Sequence, residues 1–205
     1  MRSEYIDREV WRAIMPSMTP ENARAIAVSL ETGVRIGDVL ALHVSDLSDS
    51  GINYTAAKTG KRGYAPCSSR LLDLLREKAV GGVCFPSRDG SKSLYRSRQA
   101  VWKNVRDAAR RSGIKPHVSP HSARKTFAVE LYHKRGIAAV QSALQHEDVN
   151  TTNLYALADA QGAAYDRDRL VREVSEEVMR RLAVTLGVDL TPPPPPPIIY
   201  GEDDL

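Results

Sequence analysis

The stretch Thr19-Pro20-Glu21-Asn22-Ala23-Arg24-Ala25-Ile26-Ala27-Val28-Ser29-Leu30-Glu31-Thr32-Gly33-Val34-Arg35 sets the frame in which the rest of the chain is read. Threonine followed by proline marks a helix start, because the hydroxyl can accept from an early helical N–H and proline needs no donor at the first position. Ala23, Ile26, Ala27 and Leu30 recur at helical spacing as one apolar face, and Gly33 supplies the stop. Arg35 follows directly, ahead of the apolar run Val39-Leu40-Ala41-Leu42. A cation is therefore expected between two packed pieces.

Downstream, Ile52 and Tyr54 alternate with Asn53 and Thr55 before a turn at Lys58-Thr59-Gly60-Lys61, which predicts a small hairpin with a basic tip between Asp46 and Pro66. Helices are predicted over Ser69 to Ala79 and over Ser93 to Ser112, the second with Val101, Trp102, Val105 and Ala108 inward and many arginines elsewhere. Ser119-Pro120 repeats the cap-and-proline signal and opens a helix to Gly136, with Ala123, Phe127 and Leu131 as its buried stripe. Further helices are expected over Ala138 to Leu144, Thr151 to Leu157 and Asp166 to Leu186, the last lined by Leu170, Val174, Val178 and Leu182. The fold class is thus mainly α with a small antiparallel β-sheet (α+β). Residues 1–190 are expected to form one domain, and residues 191–205 an extended tail of six prolines with an acidic end. Its apolar Ile198-Ile199-Tyr200, carried on a stiff spacer, suggests docking on a neighbouring protomer.

The 205 residues are 42% hydrophobic, enough for one sizeable core. The net charge is +4, and three acids sit in the last four residues, so the remainder is more basic still and suits a polyanionic partner. Cys67 and Cys84 are the only cysteines and have no metal-like spacing, which argues against a disulfide framework or a zinc knuckle. A reducing cytoplasm is the expected compartment, and neither a membrane span nor a secretory leader is legible.

The chemistry-bearing side chains occur in five segments: Thr32-Gly33-Val34-Arg35-Ile36-Gly37-Asp38, Lys58-Thr59-Gly60-Lys61, His121-Ser122-Ala123-Arg124, Leu144-Gln145-His146, and Thr151-Thr152-Asn153-Leu154-Tyr155. Taken singly, each has an ordinary structural explanation: an arginine at a helix end, a solvated H-x-x-R pair, a lysine in a turn, a packed histidine, a half-buried tyrosine. In this order, over residues 20 to 160, they resemble the catalytic domain of the tyrosine recombinase, or phage integrase, family. That family carries Arg, a hairpin Lys, H-x-x-R, His or Trp, and a Tyr nine residues later. Gln145 stands where the family usually has Gly, and Ala123 where it usually has Leu; neither position supplies a reacting group.

The resemblance implies a site-specific DNA recombinase or integrase that cleaves and rejoins strands through a covalent 3′-phosphotyrosine. Tyr155 would be the nucleophile. Arg35, Arg124 and His146 would hold the phosphate, His121 would accept the tyrosine proton, and Lys58 would protonate the leaving 5′ oxygen. The arginines suit this chemistry because a guanidinium stays charged and offers a planar fork to phosphate oxygens. Asp38, where the family usually has an acid, would support the site from behind. Lys61, Arg62, Arg96 and Arg98 are assigned to DNA backbone contacts. His43, His117 and His133 fall on no motif and are assigned to surface or packing. No metal or cofactor is implied.

The partners implied are double-stranded DNA and further copies of the chain, as a tetramer on paired sites in a bacterial, phage or mobile-element host. Only some thirty residues precede Arg35, so a separate DNA-clamping domain is not expected within this chain and an accessory DNA-binding protein is a possible partner. A type IB topoisomerase-like relaxing enzyme shares this chemistry, and a DNA-binding regulator with a vestigial site is the non-enzyme alternative.

Overall fold

Helix α2 (Pro20–Thr32) is the axis of the computed structural model, which describes residues 4–87, 94–114 and 117–144. Its buried residues include Ala25, Ile26, Val28, Ser29 and Leu30 together with Asn22, Arg24 and Thr32, so it is covered on more than one side. The single predicted face was too narrow because flanking elements pack on both flanks. Thr19 occupies the cap position, but its hydroxyl does not bond the helix; its N–H instead donates to Asn104 Oδ1 at 2.9 Å.

Before α2 comes α1 (Arg8–Ile14), capped by Asp7, whose carboxylate accepts from the Glu9 N–H. Trp11 and Ile14 on α1 are fully buried. After α2 comes the short α3 (Ile36–Leu40), then the antiparallel pair β1 (Gly51–Thr55) and β2 (Arg62–Pro66) with Tyr54 opposite Gly63. Ile52 and Tyr54 face inward, as their alternation predicted. Helix α4 (Ser69–Glu77) and helix α5 (Arg98–Arg111) follow. Burying residues such as Trp11, Ile26, Leu72 and Phe85 stabilises this core by roughly 1.5–3 kcal/mol each.

Two expectations for α5 change. It begins at Arg98, capped by the Ser97 hydroxyl, rather than at Ser93, because Tyr95 pairs with Pro86 in an extended bridge. Trp102 is not inward: it is 45% exposed, with the Arg106 guanidinium 4.7 Å from its ring centroid, and Ala109 takes the inward place.

Helix α6 (Pro120–Leu144) has a break at Gly136, where φ is 74° and ψ is −177°. The predicted end at Gly136 and restart at Ala138 correspond to this break. Ala128 and Val129 from the first part pack with Val140 and Leu144 from the second, forming a small cluster of their own. The buried stripe differs from prediction. Ala123 is buried, Phe127 and Leu131 are only partly so, and Ser122, Arg124 and Thr126 go inside, because α6 is gripped from two sides. Among the described residues no helix is long and apolar enough to cross a membrane. The predicted helices beyond Leu144 and the proline-rich tail lie outside the described residues.

Candidate active site

The site is built around the end of α2. Gly33 has φ 69°, and a Cβ there would stand 2.4 Å from Phe127 Cδ1 and 2.9 Å from a Leu144 methyl. Glycine is required twice over, for the left-handed backbone and for the approach of α6. The turn that follows is tied down by Thr32 Oγ1, which accepts from the Val34 N–H at 3.2 Å, and by the Ser29 hydroxyl, which donates to the Val34 carbonyl at 2.9 Å. Arg35 therefore leaves the core in a set direction, at the N-cap of α3, with its residue half-buried.

The close approach of Phe127 to Gly33 brings Arg124 into the gap. Arg124 is 3% exposed; its Nη1 donates to the Gly33 carbonyl at 2.6 Å and its Nη2 to the Leu144 carbonyl at 3.0 Å. One guanidinium thus joins the turn ahead of Arg35 to the end of α6. These are charge-assisted bonds out of solvent, stronger than neutral ones.

Asp38, in the first turn of α3, is 6% exposed, and its Oδ1 accepts the Ala57 N–H at 3.0 Å. This holds the hairpin tip to α3. The tip is a tight turn in which the Thr59 and Gly60 N–H groups both donate to the Ala56 carbonyl, and Lys58 stands on it fully in solvent reach. The other Asp38 oxygen, Oδ2, is buried and has no hydrogen-bond partner among the described residues.

His121 sits in the first turn of α6, its residue open to solvent. Desolvation by the surrounding protein, then the charges of Lys125, Arg124 and Arg35, hold its imidazole below the ordinary value. The neutral form, which can accept a proton, is favoured. Tyr54 meets two of the same charges, Arg124 and Arg35. Burial pushes its phenol up, and Arg124, Asp38 and Arg35 all act on it. Sequence reading placed Tyr54 in the core; only the packing of the hairpin against α3 reveals it as a neighbour of the cations.

The structure thus gathers Arg35, Asp38, His121 and Arg124 and ties the Lys58 hairpin to them. His146 and Tyr155 lie outside the described residues. Of the four residues assigned to DNA backbone, Lys61 and Arg62 are exposed on the hairpin, and exposed Arg98 runs past Gly37, its Cδ 3.2 Å from where a Cβ would stand. Arg96 differs: its side chain is 12% exposed and turned to α2, donating to Asn22 Oδ1 at 3.2 Å and lying 3.8 Å from Glu21. That leaves little of it to offer a phosphate. His43 is engaged internally, 2.7 Å from the Tyr95 hydroxyl. Among the described residues no cluster of His, Cys, Asp or Glu could hold a metal ion.

Among the described residues the architecture is helical with one short hairpin, and it shares its fold with integrase structures. The chain belongs to the phage integrase family, whose model matches residues 4–161. It is 33% identical over 141 residues to tyrosine recombinase XerC of Xanthomonas campestris pv. campestris (strain B100), covering 65% of this chain and 43% of that protein. It is 30% identical over 158 residues to tyrosine recombinase XerC of Xylella fastidiosa (strain M23), covering 72% and 53%. The chain spans about half the length of these curated relatives. Among solved structures, the fold matches a lambda integrase(75-356) dimer bound to a COC' core site with a TM-score of 0.65 at 19% identity, covering 76% of this chain and 59% of that one. The catalytic domain of bacteriophage HP1 integrase matches with a TM-score of 0.58 at 20% identity, covering 80% and 96%.

Proposed function

We propose that this protein is a site-specific DNA strand transferase of the tyrosine recombinase type. The observation that carries the reading is the insertion of Arg124 between the Gly33 and Leu144 carbonyls, which ties the H-x-x-R helix to the turn leading into Arg35. Family membership and the tyrosine recombinase names of the curated relatives support it.

In this reading a backbone phosphate lies against the Arg35 and Arg124 guanidiniums, with His146 adding a hydrogen bond. Charge on the non-bridging oxygens grows in the transition state, and preorganised cations stabilise it; removing one such donor costs on the order of a hundredfold in rate. Tyr155 Oη attacks phosphorus as His121 takes its proton, and a phenol with an ordinary pKa near 10 needs that base. The bond from phosphorus to the 5′ oxygen breaks, and Lys58 delivers the proton that makes it a hydroxyl. The 3′-phosphotyrosine conserves the bond, so another strand's 5′ hydroxyl reverses the step and joins new ends without ATP.

Lys61, Arg62 and Arg98 would meet the flanking DNA backbone. The partner is double-stranded DNA, with a tetramer on paired sites as the working assembly and an accessory DNA-binding protein where site choice requires one. The reaction would take place in the cytoplasm of a bacterial, phage or mobile-element host. Incubation of the full chain with a pool of nicked duplexes of randomised sequence tests the reading. A covalent adduct surviving denaturation is expected, and its absence would overturn the reading. With the sequence recovered from such adducts, plasmids carrying one or two copies separate recombination, which needs both, from simple relaxation, which does not.

A further inference from the structure

The helix bearing His121 and Arg124 is held from its other side by the segment that precedes α1. Thr126 is fully buried, and its hydroxyl lies 2.6 Å from the Ile6 carbonyl and 3.1 Å from the Ser122 carbonyl, four residues back on its own helix. A helical threonine ordinarily bonds that i−4 carbonyl. Here the shorter contact goes to Ile6, outside the helix. The same oxygen accepts the indole N–H of fully buried Trp11 at 3.0 Å.

One turn further along, Glu130 takes Arg8 on both oxygens, Nε at 2.6 Å and Nη2 at 2.7 Å, while that Nη2 also donates to the Leu30 carbonyl of α2 at 2.9 Å. At the other end, the Glu4 N–H donates to the His117 carbonyl at 3.1 Å, four residues before His121. Residues 4–11 thus run along α6 as a strap with polar attachments at His117, Thr126 and Glu130.

Positions 122, 126 and 130 recur every four residues and share one helix face, whereas Arg124 is two residues, about 200°, away from both Ser122 and Thr126. The strap grips the back of α6 and the Arg124 bonds to Gly33 and Leu144 hold its front. Rotation of α6 about its axis would break one set or the other. We infer that Thr126 is a positioning residue for strand cleavage: its hydroxyl, held between Trp11 and Ile6, sets the rotation of α6 that presents His121 and Arg124 to the phosphate. Its effect on cleavage rests on the strand-transferase reading above.

The test compares Thr126→Val, which keeps the shape and loses the hydroxyl, with Thr126→Ser, which restores it, and with Trp11→Phe, which removes only the indole donor and its ring. Single-turnover cleavage of the nicked-duplex pool is measured at saturating DNA and well below the melting temperature. Thr126→Val is expected to cleave about tenfold more slowly with DNA affinity unchanged within about twofold, and Thr126→Ser to cleave within about twofold of the parent. Cleavage by Thr126→Val at the parent rate, or Thr126→Ser as slow as Thr126→Val, would overturn the inference while leaving the function intact. Should Thr126→Val fail to fold, Trp11→Phe decides between the same outcomes. If the parent itself forms no adduct, the function fails and the strap is judged separately by amide exchange. Exchange about tenfold faster at residues 121–124 in Thr126→Val would uphold it, and unchanged exchange would contradict it.

Discussion

Arg124 donates to the carbonyl of Gly33 at 2.6 Å, across a separation of 91 residues, and so fastens the H-x-x-R helix to the turn that launches Arg35. The same guanidinium reaches the Leu144 carbonyl, which lies two residues ahead of His146. Arg124→Lys keeps the charge but cannot span both carbonyls with a fork. Adduct formation is expected to fall at least about a hundredfold. Loss of at least one charge-assisted hydrogen bond should cost about 1.5–3 kcal/mol of stability, read by denaturant unfolding.

Gly33→Ala places a Cβ 2.4 Å from Phe127 in a backbone with φ 69°. The left-handed conformation and the overpacking together are expected to cost about 2–5 kcal/mol. A double-mutant cycle with Phe127→Ala checks the source. The second substitution should relieve the clash with Phe127 and leave the backbone cost and the Leu144 contact, so the two changes together should be less damaging than their sum.

The depressed pKa of His121 gives two pH effects. The unfolded chain binds a proton at the ordinary imidazole value of about 6.5, and the folded chain only at lower pH. Between those limits the unfolded state holds more protons, so this group's contribution to stability is present above pH ~6.5 and is lost as pH falls through the folded value. With His121 as the proposed proton acceptor, cleavage should rise with pH through a midpoint below about 6.5. Lys125→Gln removes one of the depressing charges and should move that midpoint upward, as a pH–rate profile of adduct formation would record.

Asp38 holds the hairpin through the Ala57 N–H. Asp38→Ala should speed exchange of the Ala57 amide by about tenfold or more, the equivalent of losing one bond to a charged acceptor. Asp38→Asn keeps an accepting oxygen and should protect that amide better. If the bond also places Lys58, cleavage should fall in the same order, with alanine the slower of the two.

Local signals made much of this legible. Thr19-Pro20 and Gly33 bracketed α2 closely, the alternation of Ile52 and Tyr54 gave the hairpin, and Gly136 marked the break in α6. The order of Arg35, Lys58, His121 and Arg124 suggested a common site, and the structure ties the segments that carry them to one another. What escaped was non-local. Nothing near Trp102 shows that Arg106 will stack on it and leave it outside, and nothing near Arg96 shows that Asn22 and Glu21 will hold it. The Thr126 attachments join residues more than a hundred positions apart, so no periodicity could reveal them.

In the proposed reaction Tyr155 is the nucleophile. The most direct measurement is mass spectrometry of the proteolysed adduct formed on nicked DNA, which locates the nucleotide-bearing residue. A 3′-linked nucleotide is expected on the peptide containing Tyr155, and no adduct from Tyr155→Phe although that variant still binds DNA. A nucleotide on any other residue, or an adduct that persists in Tyr155→Phe, would contradict it.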